Sequence, residues 1–258
     1  MHHFKFLLSQ LFVLSLLILP CSAVAEEAKP ETKLVRVAVF DYDGKESNGP
    51  RNLKRILTPE HGFSFQVITA KEIRNGSLKD FDVLIMPGGS GGKQAKTLNP
   101  EGREAVRIFV KNGGGYVGIC AGAYLASSHY DWSLDLINAR VWDRSHWKRG
   151  QKKVAIQLTP AGQDVLSKTQ SKFKIYYSNG PLLVPDNQPD LPGYEVLAHF
   201  ETEVARNGAP AEAMIGTHAI IRSQFGSGRV ICFSPHAEVK NGPHSLIASG
   251  IYWAANSE

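Results

Sequence analysis

Cysteine is scarce in this sequence, since only three of its 258 residues carry a thiol. That number excludes a disulfide-rich scaffold. The net charge of +5 comes from scattered lysines and arginines without a basic block, which argues against nucleic-acid binding. Beyond the first 25 residues, no stretch is long and apolar enough to span a membrane. We therefore expect a globular domain without a membrane span or a nucleic-acid partner.

Metal-ligand spacing is also missing among the histidines, so we predict neither a metal site nor a cofactor. The segment Asp41–Gly44 resembles part of a calcium loop, but no glutamate follows at the position that would close the loop. We expect five histidines to be ordinary side chains, either solvated or packed: His129, His146, His199, His218 and His244.

The amino terminus has the pattern of a secretory signal peptide. Lys5 precedes an apolar run that extends from Phe6 to Leu19, and small residues follow at Ala23 and Ala25. We predict cleavage after Ala25 and a secreted or periplasmic protein. The predicted organisation is a signal peptide over 1–25, a flexible leader over 26–33 and a single domain over 34–258.

Two other interpretations of the amino terminus are weaker. A permanent membrane anchor would need a longer apolar run. Lipid attachment at Cys21 would need a small residue at the preceding position, where Pro20 stands. Lipoprotein anchoring therefore remains a minority alternative.

Short apolar segments alternate with helical patterns in the first half of the chain. The spacing of Ala105, Ile108 and Phe109 predicts a helix over 100–112 that ends at Gly113. Nearly continuous apolar strands between helices indicate an α/β fold with a mostly parallel sheet that is covered on both faces. The predicted strands of this half are 34–40, 63–68, 83–86 and 116–119, with a further short helix over 51–57.

The second half has more strand-like segments and fewer helical patterns. Gly226 and Gly228 indicate a hairpin turn, the stretch 181–192 is rich in turn residues, and residues 244–256 have a helical pattern. We predict extra strands here, over 154–158, 174–177, 195–200, 213–222 and 229–233.

The most informative segment places a cysteine between an apolar strand and a helix. Gly118 and Gly122 flank Cys120 at two-residue spacing. A nucleophile on a strained strand-to-helix turn needs neighbours without side chains, so that the backbone can pack closely. The helix that begins near Ala121 directs its positive end at the sulfur, which favours the thiolate.

Two other segments carry the groups that such a cysteine needs. His236 and Glu238 follow a late apolar strand, and a cysteine with a distant His-x-Glu supplies the parts for nucleophilic acyl chemistry. The glycine loop 87–92 follows the third predicted strand at the same edge of the sheet. This loop lacks the ending of a nucleotide loop, because Gln94 follows Lys93, and we interpret it as an oxyanion loop.

These segments resemble the class I glutamine amidotransferase-like domains. The run Gly-Ile-Cys-Ala-Gly-Ala-Tyr-Leu-Ala is similar to the smaller family named for the amino-terminal domain of eukaryotic biotin–protein ligases. The resemblance implies a three-layer, flavodoxin-like fold with a nucleophile elbow. No biotin-ligase catalytic domain follows, so we expect a stand-alone secreted domain without biotin ligation. The matching segments are 86–89, 113–127, 177–181 and 233–238.

The resemblance also implies roles for individual residues in the cleavage of a small-molecule or peptide amide through a thioester. Cys120 corresponds to the nucleophile, His236 to the general base and acid, and Glu238 to the group that orients the imidazole. The amides of two residues correspond to the oxyanion hole, and a third residue shapes its loop. These are Gly89 and Ala121, with Gly88 as the third.

One position departs from the glutamine-hydrolysing pattern. Tyr124 stands where those members commonly have a glutamine that holds the substrate, and an aromatic ring cannot reproduce its amide hydrogen bonds. This departure argues against glutamine as the substrate. Other candidates for substrate contact, each equally compatible with an ordinary loop, are Asn48, Tyr177, Asn179 and Gly180, with Asp43 and Arg51 beside the first strand.

Alternatives remain open for the cysteines and for the protein as a whole. The elbow also fits a structural turn around a buried cysteine, in a ligand-binding or redox-responsive domain without catalysis. Cys232 is expected in the core, although a disulfide with Cys120 is an alternative. Core packing is favoured over an aromatic patch for three tryptophans, and a homodimer is only the commonest assembly. The tryptophans are Trp132, Trp142 and Trp147.

Overall fold

The computed structural model describes residues 1–2, 33–44 and 48–256. Nearly all of the predicted signal peptide and leader, including Cys21 and the cleavage site after Ala25, lies outside these residues. Among the described residues, no helix has the length and apolar character needed to cross a membrane.

The described chain folds into a large sheet with helices packed against it. The strands are β1 (Val35–Phe40), β2 (Phe63–Ile68), β3 (Val83–Met86), β4 (Gly115–Ile119), β5 (Ala139–Trp142), β6 (Gln151–Leu158), β7 (Lys172–Ser178), β8 (Leu182–Pro185), β9 (Glu195–Phe200), β10 (His218–Phe225) and β11 (Gly228–Phe233). The α-helices are α1 (Asn48–Leu53), α2 (Ala70–Arg74), α3 (Gly91–Lys111), α4 (Ala121–Ala126), α5 (Pro160–Val165) and α6 (His244–Ala254).

The sheet has a parallel half and an antiparallel half. Its order is β2-β1-β3-β4-β11-β10-β9-β6-β7, with β8 beside β10 and β5 beside β8. The first five strands in this order are mutually parallel. The remaining pairs are antiparallel, and the β10–β11 hairpin joins the two halves. The α/β fold with a parallel core and extra strands in the second half is thereby confirmed.

Successive side chains of the parallel strands point to opposite faces of the sheet, and both faces are buried. In β1, Val37 and Val39 face one apolar cluster, whereas Ala38 and Phe40 face the other. Helix α6 packs into the first cluster and α3 into the second. This accounts for the nearly continuous apolar runs and gives three layers.

Several predicted boundaries are wrong. The predicted helix over 100–112 corresponds to the second part of α3, which follows the non-helical Asn99 (φ 60°), but the first part, which begins at Gly91, has no counterpart among the predicted elements. Residues Leu182–Pro185 form β8 inside the stretch predicted as turns. The segment predicted to begin a strand at Ala213 reaches strand geometry only at His218. Short elements with glycine or proline at their ends carry too little periodicity to be recognised.

Candidate active site

Cys120 lies at the sharp turn between β4 and α4. Its backbone has φ 49° and ψ −96°, a conformation that is strained for a residue with a side chain. A Cβ at Gly118 would lie 2.7 Å from the Gly122 carbonyl oxygen, and one at Gly122 would lie 2.0 Å from the Met86 oxygen. The two glycines therefore let β3, β4 and α4 pack backbone against backbone, as the sequence indicated.

His236 and Glu238 reach the same place from the loop after β11. The backbone amide of His236 donates to the Tyr176 carbonyl at 2.8 Å, which fixes the loop against β7. Its Nδ1 donates to Glu238 Oε1 at 2.7 Å, and the Glu238 side chain is buried. A Cβ at Gly88 would lie 2.8 Å from His236 Cε1 and 3.9 Å from Cys120 Cβ, so Gly88 borders both side chains.

The surroundings of His236 favour its protonated form. Burial lowers the pKa of the imidazole, but the charge of Cys120 and hydrogen bonds to Cys120 and Glu238 outweigh burial. The pKa of His236 therefore lies well above its ordinary value. A protonated imidazole beside a cysteine can donate its proton to a leaving group.

The glycine loop and the start of α4 border the sulfur from the other side. Gly89 has φ 141°, and a Cβ there would meet the Tyr42 ring at 2.9 Å. Ala121 is the first residue of α4, where backbone amides have no acceptor within the helix. Gln94, whose importance the sequence did not signal, holds the loop by donating from Nε2 to the Pro87 carbonyl at 2.8 Å.

A cavity of about 380 Å³ opens in front of Cys120. Cys120 is 6% exposed, and its sulfur lies 3.5 Å from the Ser178 carbonyl oxygen. The residues around the cavity are Gly89, Ser90, Gly91, Gly92, Cys120, Tyr124, Tyr130, Trp132, Trp147, Ser178, Asn179 and His236.

The family model described as "Biotin-protein ligase, N terminal" matches residues 46–146 and 142–249. The chain belongs to this family. The search of curated proteins found no match.

Solved structures similar to this member of the biotin–protein ligase amino-terminal family share its fold at low identity. PurLQS from Thermotoga maritima is 15% identical with a TM-score of 0.57, and the match covers 85% of this chain and 99% of that one. A putative ThuA-like protein from Bacteroides uniformis is 14% identical with a TM-score of 0.58, and the match covers 89% of this chain and 94% of that one. A putative ThuA-like protein from Parabacteroides merdae is 14% identical with a TM-score of 0.56, and the match covers 88% of this chain and 91% of that one. The chain thus has a class I glutamine amidotransferase-like fold.

The predicted substrate-contact residues of this family member are divided between the cavity and the core. Tyr124 and Asn179 border the cavity, and the Tyr124 hydroxyl donates to the Asn179 carbonyl at 3.1 Å. Tyr177 is fully buried and donates to the Gly180 carbonyl at 2.7 Å, so it offers no surface to a ligand there. A Cβ at Gly180 would lie 2.2 Å from the Ser234 oxygen, which makes its role close packing. Asn48 is exposed at the start of α1.

The predicted core packing holds for Trp132, which is partly buried against an apolar cluster of the core, and is wrong for the exposed Trp142 and Trp147. Trp132 and Trp147 border the Cys120 cavity, and Trp147 is 49% exposed. Trp142 is 45% exposed and borders another cleft. Together with Tyr130, the two cavity tryptophans come from irregular segments between α4 and β6, where residue spacing carries no signal.

Cys232 is fully buried in β11, as predicted, and burial raises the pKa of its thiol. It packs in the apolar cluster on one face of the sheet, whereas Cys120 belongs to the cluster on the other face. Both thiols are free in the structure. The alternative of a Cys120–Cys232 disulfide therefore does not describe this fold.

Proposed function

We propose that this protein is a cysteine hydrolase that cleaves an amide or related acyl substrate through a thioester. The observation that carries the proposal is that Cys120 and His236, which are distant in the chain, border one cavity, and that His236 is hydrogen-bonded to the buried Glu238. The raised pKa of His236 supports the same assignment.

The proposed reaction begins with the Cys120 sulfur, whose proton is held by His236. The sulfur attacks the carbonyl carbon and forms a C–S bond, and the carbonyl oxygen takes the negative charge. Collapse of this intermediate breaks the C–N bond, and His236 gives its proton to the departing amine. Neutral His236 then removes a proton from water, which attacks the thioester. The C–S bond breaks, a carboxylic acid is released, and the Cys120 thiolate beside protonated His236 is restored.

Glu238 and the backbone amides have supporting roles in this proposal. Glu238 accepts the Nδ1 hydrogen bond and stabilises the imidazolium. The amides of Gly89 and Ala121 would bind the oxyanion, with Gly88 leaving room for the imidazole. Loss of one such donor costs about 2.7–4 kcal/mol of transition-state stabilisation.

The proposal also includes the cellular compartment and the oligomeric state of the protein. Cleavage after Ala25 would deliver the domain to the periplasm or the exterior, where the substrate is a small-molecule or peptide amide. Amino-terminal sequencing of the exported protein tests this cleavage, and a homodimer would be tested by light scattering.

The reactivity of Cys120 tests the enzymatic part. Iodoacetamide labelling is followed by peptide mass spectrometry as a function of pH, with buried Cys232 as the internal control. We expect rapid labelling of Cys120 at pH values below the ordinary thiol pKa of about 8.5. His236→Ala should slow this labelling, and Cys120→Ala should abolish turnover in a panel of amides and esters.

The opposite result would identify a different kind of protein. Labelling of Cys120 at the rate of an ordinary thiol, unchanged by His236→Ala, would contradict the hydrolase. A ligand-binding or redox-responsive domain that retains the amidotransferase-like fold would then be the better description.

A further inference from the structure

Part of the wall of the Cys120 cavity is aromatic. Tyr130 and Trp132 stack with ring centroids 4.4 Å apart and planes 14° apart. Trp132 covers the start of α3 so closely that a Cβ at Gly91 would lie 3.0 Å from its Cη2. Trp147, which is 49% exposed, contributes a further ring. These side chains offer planar apolar surfaces beside the sulfur.

Charged residues contact the aromatic wall or lie beside it in the chain. Arg144 lies over the Tyr130 ring, with its Cζ 4.4 Å from the ring centroid. Asp143 accepts a hydrogen bond from His146 Nδ1 at 2.5 Å and forms an ion pair with the fully buried Arg149. These contacts hold the backbone segment 143–149 on both sides of Trp147, and a segment held in this way loses less conformational freedom when a ligand binds.

Two cations lie close to the cavity without lining it, because Arg144 is over the Tyr130 ring and Lys148 Nζ is 5.0 Å from the centroid of Trp147. Within the part of the chain that the structure describes, its lining includes no aspartate, glutamate, lysine or arginine. His236 borders the cavity, but its Nδ1 is already hydrogen-bonded to Glu238. A free amino acid would bring an ammonium and a carboxylate out of water without ionic partners among these residues, which is costly.

We propose that this cavity takes an amide that carries an uncharged aromatic ring, in preference to an amino-acid zwitterion such as glutamine. The identity of the ligand as a substrate rests on the proposed hydrolase function, whereas its fit to the cavity rests only on the aromatic wall. Stacking on Trp132 and Trp147 would orient the ring and leave the amide carbonyl near Cys120.

Binding to a Cys120→Ser variant tests the fit without any chemistry. Isothermal titration calorimetry compares N-(2-naphthylmethyl)acetamide with L-glutamine. We expect the naphthyl amide to bind at least about tenfold more tightly, as is usual for an apolar group in a matching pocket. Trp147→Ala should remove most of this preference. Trp142→Ala is the matched control, because Trp142 is equally exposed but borders another cleft.

A labelling experiment on the unmodified protein separates the two proposals. N-Benzyl-2-chloroacetamide and the chloroacetamide of 2,4-diaminobutyric acid share one reactive group and differ in charge. Faster Cys120 alkylation by the benzyl compound, lost in Trp132→Phe or Trp147→Ala, supports the inference. Equal or faster reaction of the zwitterion, or equal binding of glutamine, overturns it. A benzyl preference that persists while His236→Ala leaves the rates unchanged would refute the hydrolase but not the ligand class.

Discussion

Single residues without side chains determine whether the Cys120 site can form. Gly118 and Gly122 permit the close packing of the elbow, whereas Gly88 leaves the space that His236 occupies. The sequence identified Cys120 and His236 from local motifs. The space beside His236 depends on a loop far away in the chain, so only the structure explains why Gly88 is needed there.

Replacement of Gly88 by alanine should disable the site while the protein stays folded. The new Cβ would lie 2.8 Å from His236 Cε1, so the imidazole must move away from Cys120. We expect Cys120 alkylation to slow by about 10- to 100-fold, because small displacements of reacting groups have effects of this size. Labelling kinetics with peptide mass spectrometry measure this change.

Gly193→Ala is the control, because a Cβ at that position has no neighbour within 4 Å. It should leave the alkylation rate and the thermal unfolding temperature unchanged. An unchanged rate in Gly88→Ala would show that the imidazole does not need its present position.

At the scale of elements, the side chain of Asn99 determines where the second part of α3 begins. Asn99 has φ 60° and ψ 179°, and its Oδ1 accepts a hydrogen bond from the Gly102 amide at 3.0 Å. Pro100 then occupies the first position of the continuing helix, where its missing N–H costs nothing. The predicted helix therefore covered only the second part of α3. The first part begins at the glycine loop, whose composition resembles a turn.

Two substitutions at Asn99 should separate capping from backbone strain. Asn99→Ala loses the cap and keeps a Cβ in a backbone region that favours glycine, so we expect a loss of about 0.5–2 kcal/mol in the free energy of unfolding. Asn99→Gly loses the cap but relieves the strain, and should change stability by no more than about 0.5 kcal/mol. Urea denaturation of both variants measures the difference, and equal losses would contradict this account.

At the scale of the whole molecule, the antiparallel half of the sheet contains a half-buried histidine, His218, that links stability to pH. The Tyr194 hydroxyl lies 2.7 Å from His218 Nδ1, and the His199 ring centroid is 5.2 Å from that of His218. Burial, followed by the charge of His199, lowers the pKa of His218 to about 4. The folded protein therefore holds this imidazole in its neutral form.

Acid should destabilise the fold through His218. The unfolded chain binds the proton near the ordinary pKa of 6.5, whereas the folded chain binds it only near 4. The contribution of neutral His218 is therefore complete above about pH 6.5 and is lost as the pH falls towards 4. Because the side chain is partly exposed, we expect a loss on the order of 1 kcal/mol.

Urea denaturation between pH 7 and 4 tests this expectation. The wild-type protein should lose more stability over that range than His218→Gln, whose amide can still accept the Tyr194 hydroxyl. Parallel curves for the two proteins would show that His218 does not carry the pH dependence.

The sequence alone determined the parallel half of the fold and the candidate reactive residues. Apolar strands such as Val83–Met86, and the glycines around Cys120, follow from backbone geometry over a few residues. Tertiary structure decided the ligand-facing surface. Tyr177 enters the core and Trp147 the cavity wall because their surroundings are built by segments distant in the chain. Local spacing cannot encode such long-range packing, and that packing determines which ligand the site can take.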